Sequence, residues 1–371
     1  GKGPGPSGQF RRVQAHIRSR GLPAGALTFG DCLRLAEETG VSVGTAVIAE
    51  AMTARNLDAA RVAAAVLQAF DHNLAALDLG RTRGRSDLMG TVGRDLAAAP
   101  GITGHALLDK AVAYTLASQV GNHAIGLQPC AGTGDACTYA GLLQAMRETL
   151  PDEGVVVRAT AVMLKLGVIF REAKSTTGCN LEGFGAGAAA SAAAFTEIAG
   201  GSPAAMERAV VLALSPTIAV PCTPRVMVPG LCATHIGGGV LIGWLASCLA
   251  LQTALPVTVP VDVMMALAAA VHPLSAQAVV PEVVRHMAPF FQSRGEVEAL
   301  VAPEERQREA AANQTLLEEA HTRLRELAQG ARSIATMADP SPTSCARCAV
   351  LPPGAAHMSN TRSPGRGSSR C

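Results

Sequence analysis

The segment CTPRVMVPGLC, residues 222 to 232, holds two cysteines ten positions apart around two prolines and a glycine. Cys222 and Cys232 admit two uses. They are either small apolar side chains in a buried segment, since free cysteine is among the most buried residue types, or thiolate ligands to a metal. The chain has ten cysteines, and their settings differ. Cys32, Cys137 and Cys248 lie in helical-looking sequence and are expected in the core, whereas Cys179, Cys222 and Cys232 lie among glycines and prolines that can turn several side chains toward one point. The chain is neither short nor marked by a secretory signal, so metal or catalytic use outweighs a disulfide framework. CARC (345 to 348) has CxxC spacing without a second pair, a weak signal for zinc.

Three loops place glycine beside reactive or polar side chains: GNHAIGLQPCAGTGDACTYAG (121 to 141), KSTTGCNLEGFGAGAAASAAA (174 to 194) and VPCTPRVMVPGLCATHIGGG (220 to 239). Small residues let the backbone approach a ligand closely. Each loop precedes an Ala- or Gly-rich stretch expected to be helical, and the exposed N–H groups of a helix start suit a carboxylate.

PCAGTGD, TGCNLEG and CTPRVMVPGLC, in this order, resemble the motifs of the alpha subunit of iron-sulfur-dependent L-serine dehydratase: a PTAGSxG-type loop, GGCQAE before an Ala-rich helix, and CDPVxG ending in Pro-Cys. The resemblance runs from about residue 25 to 330 and includes the Gly-rich GRSDLMGTVGRD. Three departures stand out. Cys232 follows Leu231 rather than proline, its spacing from Cys222 is one residue short, and Asn180 replaces glutamine.

The resemblance implies a [4Fe-4S] cluster held by Cys179, Cys222 and Cys232. Three thiolates fix three irons of a cubane and leave the fourth open, where an electron-transfer cluster normally closes all four. An open iron is a Lewis acid for a substrate hydroxyl. The implied reaction removes water from L-serine, and the aminoacrylate released tautomerises and hydrolyses to pyruvate and ammonia without pyridoxal phosphate. Lys174 beside STTG is expected to be a surface charge or anion partner rather than a Schiff base.

Expected substrate contacts are Asn122, Thr133, Gly134, Asp135, Ser175 and Thr176, each weighed against a loop-stabilising hydrogen bond; the general base is unassigned. Glu182 matches the acid of GGCQAE and caps the next helix or supports the cluster ligands. His123 and His235 adjoin the motifs as acid or base candidates, with a packed, hydrogen-bonded histidine as the plainer expectation. The Ser-Ser-His-Thr string that the family carries in its beta portion has no counterpart, which implies a separate beta subunit and a hetero-oligomer. Cys371 on a tail could serve as an exchangeable fourth ligand, against the commoner case of a tail cysteine with no such role. The alternatives are a cysteine desulfidase-type lyase and a non-enzymatic iron-sulfur protein.

The elements that must position these residues follow from composition. Hydrophobic residues make up 49% of the chain, charged residues 16% and aromatics only 3%, so a mostly helical interior of closely approaching thin helices is expected. A net charge of +2 and the lack of interleaved basic and aromatic residues argue against nucleic acid. IGGGVLIGWLASCLAL (236 to 251) falls short of the roughly 20 residues that span a bilayer and is expected to be a buried helix, with no membrane role. The polar, basic start, without an apolar signal core, makes cytoplasmic location the expectation.

Residues 1 to 24 are expected to be a flexible lead-in, about 27 to 80 amphipathic surface helices, and 77 to 96 a loop. Together, 25 to 335 are expected to form the catalytic domain, with a charged helix at 303 to 330 and a disordered tail at 336 to 371.

Overall fold

The computed structural model describes residues 6–86, 89–99, 101–125, 134–173, 184–220 and 231–292, and among these it is mainly α-helical with no strand. The described residues belong to the unit Gly1–Leu327; the expectations for the tail beyond it, Cys371 included, and for the charged helix lie outside them.

The first helices are α1 (Pro6–Arg20), α2 (Phe29–Thr39), α3 (Val43–Arg55), α4 (Ala59–Gln68), α5 (Asp71–Thr82) and α6 (Val92–Ala98). Local sequence sets their ends. Thr28 and Asp31 form a reciprocal capping box on α2, which stops at Gly40 in the left-handed region, and Ser42 and Asp58 cap α3 and α4.

Three expectations are corrected here. Residues 6 to 20 are not a flexible lead-in: Val13 and Ile17 recur at helical spacing and are fully buried, so α1 packs on the body. Residues 77 to 96 are not one loop, since α5 continues to Thr82 and α6 starts at Val92. Nor is α3 a surface helix, for Val43 to Glu50 are all buried.

Three helical pairs follow: α7 (Ala106–Ala124) with α8 (Gly134–Thr149), α9 (Glu153–Ala173) with α10 (Gly187–Ile198), and α11 (Pro203–Leu214) with α12 (Leu231–Gln252). α13 (Val261–Gln292) closes the described chain. In each pair the helices run antiparallel. Tyr114 bonds Glu148 while Cys137 meets Gln119, Arg158 pairs with Glu197, and Arg208 donates to the Ala250 carbonyl.

Contacts between the pairs set their common direction. Ser191 lies beside Gly243 and Thr196 bonds Ser247, so α10 and α12 are parallel. Trp244 packs on His105 at 4.5 Å while Gly237 lies by Val112 and Leu116, so α7 opposes α12. Consequently α7, α9 and α11 end, and α8, α10 and α12 begin, at one end of the bundle.

Small residues make this packing possible. Ala188, Ala192, Ala209, Ala213, Ala246 and Ala250 form a seam among α10, α11 and α12. At the α5–α7 crossing, a Cβ on Gly121 would fall on the Ala76 carbonyl oxygen, and one on Gly80 on that of Ala117. α12 is the described helix long and apolar enough to cross a membrane, yet it packs on α7, α10 and α11 as a core helix does. Its outer face and that of α13 expose Leu245, Val263, Leu267 and Leu274.

Replacing Gly121 with Ala must therefore push α5 and α7 apart. We expect Gly121→Ala to lose about 1–3 kcal/mol of unfolding free energy or more in a urea titration. Ala76→Gly, which leaves the carbonyl in place, should not restore it.

Candidate polar site at the hairpin end of the bundle

The end at which α8, α10 and α12 begin gathers the positive poles of three helix dipoles, and these favour anionic groups such as thiolates and carboxylates. Segments 126–133, 174–183 and 221–230 enter and leave the described bundle there. Thr133, Ser175, Thr176, Lys174, Cys179, Glu182 and Cys222 lie outside the described residues. Gly134 and Asp135 form the first residues of α8, and Cys232 lies in the first turn of α12. Residues 184–186, leading into α10, are wound as a π-helix, a geometry frequent at functional sites.

Beneath this end runs a buried chain of polar side chains. The Asn122 amide donates to Cys137 Sγ at 3.0 Å, and the thiol donates to Gln119 Oε1 at 3.1 Å. Gln119 Nε2 lies 2.7 Å from His123 Nε2, and His123 Nδ1 lies 2.6 Å from Ser86 Oγ. All five residues are buried, where polar atoms need hydrogen-bond partners, and these contacts supply some of them.

Gln119 presents its oxygen to the thiol and its amide nitrogen to His123 Nε2. Ser86 Oγ, against His123 Nδ1, also accepts from the Met89 N–H at 3.2 Å. Which atom donates in the Ser86–His123 contact follows from the imidazole tautomer, and in either tautomer the contact ties Ser86 to α7.

Ser86 in turn anchors the Gly-rich turn, exchanging backbone hydrogen bonds with Gly90 at 2.9 and 2.7 Å. Gly90 has φ +55°, a left-handed conformation that favours glycine. Asn122 pins the first turns of α8 to the last turn of α7. Cys137 is buried as expected of a core cysteine, but as a hydrogen-bonded member of this chain; Cys32 is buried and Cys248 partly so.

Sequence reasoning singled out Asn122 and His123 and missed Ser86, Gln119 and the polar role of Cys137. A signal was present: Thr115, Gln119, Asn122 and His123 recur three or four apart on an otherwise apolar helix.

His235 occupies the second turn of α12 and stacks on Phe184 with ring centroids 5.1 Å apart and planes 11° apart. Burial lowers its pKa, so the imidazole stays neutral near neutral pH. Among the described residues no group of three or more His, Cys, Asp or Glu side chains forms a metal site, and the side chains of all three cysteines expected as ligands lie outside that set.

Compared with known proteins, the chain matches no family model and no curated protein.

The depressed His235 pKa sets a pH dependence. Below about 6.5 the unfolded chain binds a proton that the native imidazole resists, so this contribution is whole above that pH and is lost as pH falls toward the lower native pKa. A His235→Phe variant, which keeps the stack on Phe184, should show a shallower loss of melting temperature between pH 6.5 and 5 than the wild type; parallel curves would contradict the assignment.

Proposed function

We propose that this chain is the alpha subunit of an iron-sulfur-dependent L-serine dehydratase, releasing pyruvate and ammonia from L-serine, with Cys179, Cys222 and Cys232 holding a [4Fe-4S] cluster. The observation that carries the proposal is the common end of the three helical pairs, because the two segments bearing Cys179 and Cys222 and the helix bearing Cys232 all attach there. The donor set fits the group: three thiols suit an iron-sulfur cluster with one iron open, and helix N-termini favour their ionised form. When bound, the cluster supplies a Lewis-acidic iron that stabilises departing hydroxide.

The chain's own residues do the rest. The N-termini of α8 and α10 offer N–H groups to the substrate carboxylate, and Asn122 holds the α8 end in place through Cys137. Thr133, Asp135, Ser175 and Thr176 orient the amino acid in this scheme. His235, kept neutral by burial, is the imidazole at this end to which we assign acceptance of the α-proton. His123 keeps the Gly-rich turn in position through Ser86.

The exposed apolar faces of α12 and α13, with Leu245, Val263 and Leu274 more than half exposed, suit a covering beta subunit, in keeping with the missing Ser-Ser-His-Thr string.

Anaerobic reconstitution with iron and sulfide tests the proposal. The expected result is a broad visible absorption and, after one-electron reduction with dithionite, a low-temperature EPR signal that shifts on adding L-serine. Cys179→Ser, Cys222→Ser and Cys232→Ser should each lose the absorption while keeping the helical circular dichroism. Sulfide release from cysteine without pyruvate from serine would favour a desulfidase, and a cluster blind to both amino acids a non-enzymatic protein.

A further inference from the structure

Between α3, α4 and α9 lies a cleft of about 240 Å³ whose walls are Val47, Ala51, Val62, Val66, Leu164 and Val168. At roughly 30 Å³ per water, it has room for about eight waters' worth of ligand. A charged pair sits among these walls. Lys165 Nζ lies 3.0 Å from Glu50 Oε1, and their side chains are 12% and 4% exposed.

The two partners are unequally satisfied. Glu50 Oε1 also accepts the backbone N–H groups of Gly25 at 3.1 Å and Leu27 at 3.3 Å, and Cys32 Sγ lies 3.6 Å from Oε2. Lys165 carries three N–H donors, and among the described residues Glu50 is its acceptor. Arg55, exposed, adds a second cation to the lining. The lining thus holds one carboxylate and two cations, a net positive charge beside apolar walls.

We propose that this cleft binds a small aliphatic carboxylate, its charge on the Lys165 ammonium and its hydrocarbon chain along the valine and leucine side chains. An apolar pocket with few convergent polar groups is the usual form of a small-molecule site. A buried ammonium with spare donors, in a lining of two cations and one carboxylate, favours an anion over a neutral isostere, which brings no opposite charge to the excess cation. The inference does not rest on the dehydratase proposal, since the cleft is formed without any iron.

The test uses the full chain, prepared without iron, with hexanoate, 1-hexanol and hexylamine as probes in calorimetry and thermal melting. Hexanoate should bind saturably at millimolar concentration or below and raise the melting temperature, while the alcohol and amine bind at least tenfold more weakly. Lys165→Met should abolish the difference between acid and alcohol. Should that variant misfold for want of a partner to Glu50, Ala54→Trp tests the same point by filling the mouth from an exposed position with both Glu50 and Lys165 retained, and should weaken hexanoate at least tenfold. Equal binding of acid and alcohol, no saturation by hexanoate, or unchanged binding in the folded variants would overturn the proposal.

Discussion

The approach of α5 and α7 to backbone contact is the constraint on which the rest of the structure depends. Gly80 and Gly121 each face a carbonyl oxygen on the other helix where a methyl group has no room. α7 is buried from Ala111 to Ala124, so everything it carries is held inside the protein. That includes Gln119, Asn122 and His123, which reach Ser86 on one side and Cys137 on the other. Parting α5 from α7 would pull on this chain of contacts, of which the Ser86–His123 pair at 2.6 Å lies just beyond the end of α5.

The same contact explains what the sequence disclosed and what it concealed. Helical class was legible because few aromatics and many alanines leave close helix packing as the way to fill a core. The small-residue stretches were legible as helices, but the expected loops were drawn too long: 121–124 belong to α7, and 134–141, 187–194 and 231–239 to α8, α10 and α12, while the rest of those loops lies outside the described residues. Gly80 misled because glycine reads locally as a breaker, whereas its role is to admit Ala117 from a helix almost forty residues away. α3 misled because Glu50 reads as a solvent-facing charge, and its partner Lys165 comes from a distant helix. In α1, Phe10, Val13 and Ile17 already marked an apolar stripe, but the surrounding arginines and glycines obscured it. Ser86, Gln119 and Cys137 do not form a local motif, and only the fold brings them together.

A core made of alanine, glycine and leucine has a weakness that its buried polar groups offset. Alanine seams such as Ala188, Ala192, Ala246 and Ala250 slide past one another with little change in buried area, so apolar contact alone specifies register poorly. Directional contacts do better. Glu197 accepts from the Gly44 N–H at 3.1 Å, and its Oε1 lies 3.3 Å from Arg158 Nε without hydrogen-bond alignment, so the contact is Coulombic. Glu50 accepts from Lys165. Together these two carboxylates fix α3, α9 and α10 at two points along α9.

Such pairs add little net stability, since desolvation consumes most of the attraction, but removing one partner costs about 3–5 kcal/mol. Their contribution is to exclude alternatives, because a shift of α9 by one turn would leave both Arg158 and Lys165 without their carboxylates. α9 runs directly into residues 174–183, and α10 leads out of them. The register set by Glu50 and Glu197 therefore fixes both ends of the segment that carries Cys179. Charge pairs at two points along α9, Arg158 near its start and Lys165 beyond its middle, thus determine where the proposed chemistry is anchored.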